Sequence, residues 1–197
     1  MPGLTLLYLH GFLSSPASEK ACQTRRYAET LDGVTDILIP ELKSGPGETV
    51  AQLQDLLAGR DTDCLGLIGS SLGGFYATVL AERFNVPAVL INPAVQPAQY
   101  WQDYLGEHRN FHSGEIHEVT RDHIRQLQEM DPPAIDRPEK YRVYLQRHDE
   151  VLDHRQALRR YGEPQCLLRE DGDHAYAGFD RELPAVFEFL LQAISRN

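Results

Sequence analysis

Cysteine is scarce in this chain: three in 197 residues. Cys22, Cys64 and Cys166 are odd in number and far apart, which excludes a disulfide framework and any closely spaced thiolate metal site. A reducing cytoplasm is the expected location, with the thiols as small core or surface residues. Basic residues are also few, 19 Lys and Arg against 29 Asp and Glu, for a net charge of −10. A nucleic-acid partner is therefore not expected, because a phosphate-binding face needs a basic surplus. No apolar run is long enough to span a bilayer, and Met1-Pro2-Gly3 leads into a strand and not into a basic-then-apolar leader. Internal repeats and low-complexity tracts are absent as well. The length suits a single domain, residues 1–197, with a sizeable core.

What the chain does have is a stretch that organises the rest. Leu65-Gly66-Leu67-Ile68 is a short apolar segment, and Leu72 to Phe84 reads as a helix. Between them, Gly69-Ser70-Ser71-Leu72-Gly73 fits the G-x-S-x-G nucleophile elbow with Ser71 at its centre. The chemistry needs this shape. A serine hydroxyl is a weak nucleophile and must project from a sharp strand-to-helix turn. Glycines on either side let strand and helix approach. The turn also puts the Leu72 N–H at a helix N-terminus, where a developing oxyanion is stabilised. Ser70 is out of register, since Ile68 and Leu72 would stand where glycines belong. An ordinary Gly/Ser turn is the plainer alternative, and the context is what argues against it.

That context is a β-α rhythm. Leu4 to Leu9 is a near-continuous apolar run, as expected of a strand buried on both faces. Ser15-Pro16 offers a cap and a first-turn proline for a helix over Ala17–Leu31. Strands are expected at Asp36–Ile39, Leu65–Ile68 and Pro87–Ile91, with helices at Glu48–Ala58 and Leu72–Phe84. This alternation predicts a doubly wound parallel sheet with right-handed crossovers and a ligand site beyond the carboxyl ends of the strands. His10, Ser71 and Asn92 all fall there. From Ala94 to Pro138 the rhythm breaks into a polar, cap-like insertion, with one helix near Thr120–Met130 capped by Thr120. A fifth strand, Tyr141–Gln146, a helix Asp153–Tyr161, a sixth strand Pro164–Leu168 and a closing helix Arg181–Ser195 complete a sheet of about six strands.

An activated serine needs a base, and the base an orienting group. Two loops after Ser71 can supply them. His148-Asp149-Glu150 follows the fifth strand, and Asp173-His174 follows the sixth. The order Ser, Asp, His is that of α/β-hydrolases. Asp149 is the chosen acid, with Glu150 and then Asp153 as alternatives, Asp153 looking more like a helix cap. His174 is the chosen base, ahead of His148. Phe12 N–H, in the His10-Gly11-Phe12 turn, is the expected second oxyanion donor beside Leu72 N–H. His10 then braces that loop.

Taken together these residues resemble the α/β-hydrolase superfamily, and more closely the small YqiA/YcfP-like bacterial esterases. The resemblance rests on Leu7-Tyr8-Leu9-His10-Gly11-Phe12 with Ser14-Ser15-Pro16, and on Gly69-Ser70-Ser71-Leu72-Gly73-Gly74 with Tyr76-Ala77-Thr78. It continues through Asn92-Pro93-Ala94-Val95, Asp149-Glu150-Val151-Leu152-Asp153 and Gly172-Asp173-His174-Ala175 with Gly178-Phe179. It implies an α/β-hydrolase fold with strand order 2-1-3-4-5-6. It also implies a Ser71–Asp149–His174 triad and hydrolysis of small-molecule carboxylic esters or acyl thioesters such as acyl-CoA. The family pattern would put a glycine before the acid, where this chain has His148. No metal or organic cofactor is required by such chemistry.

Two rival readings stand beside this one. The fold could serve as a catalytically silent binding scaffold. His108, His112, His117 and His123 crowd the insertion and would hold zinc if they converged, although their spacing matches no tight ligand motif. Tyr100, Trp101 and Tyr104, with Phe111, either anchor the insertion to the core or line an acyl pocket. Together with His10 they are the candidate substrate contacts. The acidic net charge disfavours a strongly anionic substrate unless local lysines or arginines compensate.

Overall fold

In the computed structural model, which describes residues 3–110 and 113–195, six parallel strands form one sheet. They are β1 (Leu4–Leu9), β2 (Val34–Leu38), β3 (Leu65–Ser70), β4 (Ala88–Ile91), β7 (Tyr141–Gln146) and β8 (Cys166–Arg169). Their order is β2-β1-β3-β4-β7-β8, as the family resemblance implies. Every pairing is parallel. The near-continuous apolar sequences of β1 and β3 follow from this, since both faces of a central parallel strand are covered. Leu4, Leu6, Leu7, Tyr8 and Leu9 are all fully buried.

The helices form two layers. Helices α1 (Glu19–Ala28) and α6 (Leu183–Ile194) lie on one face, where Ala21, Phe187 and Leu190 pack on Leu6, Ile68 and Val89. Helices α2 (Pro46–Leu57), α3 (Leu72–Phe84) and α5 (His154–Tyr161) lie on the other, around Leu7, Leu67 and Leu90. Helix α3 is apolar on nearly every side because it sits between the sheet and the insertion, and Asn85 ends it in the left-handed conformation. A hydroxyl pair, Thr78 to Tyr161 at 2.8 Å, ties α3 to α5 inside this layer.

Several element ends differ from the sequence expectation, for local reasons. Ser15 does not cap α1. Its Oγ accepts from Ala17 N–H and its carbonyl from Ser18 N–H, so residues 15–18 make a turn and the helix starts at Glu19. Pro46 occupies the first turn of α2, where its fixed φ suits a helix start, so α2 begins two residues early. Glu163–Gln165 forms a 3-10 turn that delays β8 to Cys166.

The larger difference lies in the insertion. It contains an antiparallel hairpin of β5 (Gly106–Arg109) and β6 (Ile116–Val119), followed by α4 (Arg121–Met130). Thr120 caps α4, and His123 returns a bond to the Thr120 N–H to complete a capping box. Trp101, Val119, Ile124 and Leu127 are buried in the same apolar cluster as α2 and α3. The insertion thus adds to the core instead of standing over it as a solvated flap. Phe111 and His112 lie outside the described residues. No helix among the described residues is long and apolar enough to cross a membrane.

Candidate active site

The β3–α3 junction is a sharp turn with Ser71 at φ 54° and ψ −122°, a conformation L-residues adopt rarely and at a cost of about 1–3 kcal/mol. The surrounding backbone enforces it. Ser71 N–H donates to Ile91 O at 3.0 Å, and Ser71 O accepts from Gly74 N–H and Ala94 N–H at 2.9 and 3.0 Å. The flanking glycines are required by close approach: a Cβ on Gly69 would lie 2.3 Å from Gly73 O, and one on Gly73 would lie 2.1 Å from Leu9 O. Ser70 is buried in the strand, so Ser71 is the serine presented at the turn.

Three side chains meet in sequence at this turn. His174 Nε2 lies 3.0 Å from Ser71 Oγ, and His174 Nδ1 lies 2.9 and 3.0 Å from the two oxygens of Asp149. The Asp149 side chain is 2% exposed and the His174 side chain 21%. Asp149 Oδ1 also accepts from Val151 N–H and Leu152 N–H at 2.9 and 2.8 Å. Those bonds fix the carboxylate within the β7–α5 loop. With a carboxylate on one side of the ring, Nδ1 carries the proton and Nε2 is left to accept from the serine. The alternatives have other partners. Glu150 accepts the His174 backbone N–H at 3.0 Å, and this bond holds its carboxyl below the usual glutamate range. Asp153 caps α5. His148 is exposed.

Two residues that the sequence reading did not assign hold the His174 loop. Asn92, 2% exposed with φ 39°, donates from Nδ2 to Asp173 O and His174 O at 3.0 and 3.2 Å. Its Oδ1 accepts from Gln146 N–H at 2.9 Å. Carbonyls only accept and the Gln146 N–H only donates, so the partners fix the amide orientation. Gln146, buried at the end of β7, accepts Asp173 N–H at 2.8 Å through Oε1 and donates to Ala177 O at 3.3 Å. The only sequence hint was position: both stand at carboxyl ends of strands, where the ligand edge was expected.

The β1–α1 loop closes the other side. A Cβ on Gly11 would lie 3.2 Å from Ser71 Cβ, which places this loop directly against the turn. His10 is buried, with Nδ1 donating to Gly11 O at 2.9 Å and Nε2 accepting Leu42 N–H at 3.2 Å, so it braces the loop. The Phe12 ring is packed by Trp101, Tyr104, His108 and His117, with centroids 5.2, 6.4, 5.6 and 6.5 Å away. Asn110 Nδ2 donates to Ser14 O at 3.1 Å and ties the hairpin to the same loop. Leu72 opens α3, where first-turn N–H groups have no intrahelical acceptor.

A cavity of about 310 Å³ opens beside Ser71 and His174, walled by the β1–α1 loop, the start of α1 and residues 174–178. His10 and Phe12 line it; Tyr100, Trp101 and Tyr104 do not. Those three instead anchor the insertion: Trp101 is buried, and Tyr104 packs edge-on against Phe12. Among the described residues no three or more His, Cys, Asp or Glu side chains are grouped to hold a metal. His108 bonds Tyr104 O, and His123 is taken up in the α4 cap.

The model of an uncharacterised protein family, UPF0227, matches residues 5–191. The chain belongs to this family, the YqiA/YcfP-like group. Solved structures place the UPF0227 chain in the α/β-hydrolase fold. It is similar to a candidate hydrolase from Agrobacterium vitis S4, with a TM-score of 0.73 at 18% identity over 95% of this chain and 88% of that one. Similarity to mouse alpha/beta hydrolase domain-containing protein 10 gives a TM-score of 0.69 at 16% identity, covering 95% and 89%. Est1E from Butyrivibrio proteoclasticus gives 0.70 at 15% identity, covering 99% and 90%. At these identities the likeness is one of fold.

Proposed function

We propose that this UPF0227 chain is a serine hydrolase that cleaves carboxylic esters, and acyl thioesters by the same chemistry, through an acyl-enzyme. One observation carries the reading: Ser71, His174 and Asp149 form an unbroken hydrogen-bonded relay at the carboxyl edge of the sheet. His174 Nε2 takes the Ser71 proton as Oγ attacks the carbonyl carbon. Asp149 keeps the ring in the productive tautomer and favours the imidazolium that forms. Phe12 N–H and Leu72 N–H are the proposed donors to the tetrahedral oxyanion. His174 then hands its proton to the departing alcohol or thiol. Water, deprotonated by the same ring, releases the acid and restores Ser71. Names of structural neighbours such as Est1E support the hydrolase reading as analogy.

The test is hydrolysis of p-nitrophenyl esters of graded acyl length by the wild-type chain and Ser71→Ala. A triad that acts as a unit loses about 10⁶ in kcat when its serine is removed, so Ser71→Ala should fall to background. Covalent labelling by a fluorophosphonate should be lost with it. Equal turnover by Ser71→Ala overturns the reading. Absence of both turnover and labelling in the wild type favours the silent scaffold.

A further inference from the structure

The cavity beside Ser71 has an unusual wall for an ester site. Tyr8 is fully buried in β1, yet its hydroxyl oxygen has no hydrogen-bond partner within the protein and the residue lines the cavity. Ser18 stands near enough to act on the phenol electrostatically, but no hydrogen bond of accepted geometry joins them. Burial raises the phenol above its ordinary range, so it is a proton donor at neutral pH. Gln23 of α1 lines the same cavity. Its Nε2 donates to Glu19 Oε1 at 3.2 Å, which turns Oε1 the other way, buried and without a donor. A donor and an acceptor therefore face one space with nothing in the protein to pair them.

Charge narrows the occupant further. Lys20 is the one cation on this wall. Its Nζ donates to Ala175 O at 2.5 Å, and the carboxylates of Glu19 and Asp173 act on it. Its charge is thus already answered. A carboxylate or phosphate in the cavity would accept from Tyr8 but give Gln23 Oε1 no donor, and would meet Glu19. An alkyl chain would bury both polar atoms unpaired, which hydrogen-bonding sites strongly reject. A neutral hydroxyl both accepts and donates, and so fits both. Ser14 and Ser18 on the same wall have that same dual character.

We infer that the cavity is a subsite for a neutral, hydroxyl-bearing group of the substrate, so that the preferred esters are short and hydroxylated and not long-chain acyl esters. This rests on the hydrolase reading above. Tyr8 and Gln23 are specificity residues in it and take no part in the proton transfers.

The experiment compares kcat/KM within two substrate pairs, followed by acid release at constant pH. One pair is propyl butyrate and 1-butyrylglycerol, which differ by hydroxyls on the alcohol side. The other is methyl butyrate and methyl 3-hydroxybutyrate, which differ on the acyl side. The hydroxylated member should lead by about tenfold in at least one pair, and the leading pair identifies the side that enters the cavity. Tyr8→Phe and Gln23→Leu should each bring that ratio toward one. A merely structural role would lower both members alike and leave the ratio standing, which would overturn the assignment of these residues. Turnover of all four esters without a preference, or with the alkyl member ahead, overturns the subsite while leaving the hydrolase reading intact. Fluorophosphonate labelling without turnover of any of the four overturns this substrate class. Neither labelling nor turnover overturns the hydrolase reading and the subsite with it.

Discussion

Asn92 offers a quantitative test of how the His174 loop is held. Replacing it by Ala removes three hydrogen bonds, to Asp173 O, His174 O and Gln146 N–H. At about 1 kcal/mol each they contribute about 3 kcal/mol. Asn92 also sits at φ 39°, which asparagine tolerates and alanine resists by about 1 kcal/mol. The expected loss is about 4 kcal/mol, a fall in Tm of about 8–16 °C for a chain of this size. Activity should fall more selectively. Asp173 N–H keeps Gln146 Oε1 and His174 N–H keeps Glu150, so the loop stays attached but less well aimed. Misplacement of a catalytic group by about 1 Å costs about 10²-fold, so kcat/KM should drop about 10- to 100-fold well below the new Tm. Fluorophosphonate labelling should slow in parallel. Asn92→Asp sharpens the test: a carboxylate would face two carbonyls, so this variant should be worse at pH 8 than at pH 5, where protonation restores a donor. If Asn92→Ala melts within 2 °C of wild type and keeps kcat/KM within about twofold, the reasoning from hydrogen-bond count to loop position fails.

Two further outcomes follow from the turn and its neighbours. Gly73→Ala places a methyl 2.1 Å from Leu9 O and 2.5 Å from His10 O, neither of which can move without breaking the sheet, and should cost at least about 3 kcal/mol by urea unfolding. Glu150 is held below its ordinary 4.5 by the His174 N–H and then by its own backbone. Its folded value lies under its unfolded one, so its contribution is present above about pH 4.3 and lost as pH falls through the folded value. The Tm advantage of wild type over Glu150→Gln should therefore shrink between pH 6 and pH 3; an advantage that grows toward acid would contradict the assignment.

Much of the sheet was legible because its strands are buried on both faces and read as short apolar runs. Helix α3 and strand β7 begin and end at the expected residues for that reason. The hairpin was not legible. Gly106-Glu107-His108-Arg109 carries no apolar residue, and in Ile116-His117-Glu118-Val119 the residue turned inward beside Val119 is His117. Its pairing depends on a distant partner, the Phe12 ring. Ser71, Asp149 and His174 could be named together because motif and chain order bear on side-chain chemistry. Asn92 and Gln146 act through backbone groups of other loops, and nothing in their local sequence announces that. The polar wall of the cavity was hidden for a similar reason. Tyr8 and Gln23 belong to a strand and a helix 15 residues apart, and only the packing of α1 on the sheet sets them across one space.

The separation of 103 residues between Ser71 and His174 also carries a temporal consequence. At about 5–20 residues per second, a ribosome that has finished the elbow needs about 5–20 s more to deliver the histidine. Until then the nascent chain displays a serine without its base. Strands β7 and β8 must also add to the open edge of β4 before Asp149 and His174 can reach the elbow. Reactivity toward a fluorophosphonate during synthesis would then report completion of the sheet, and a stalled chain would stay chemically inert.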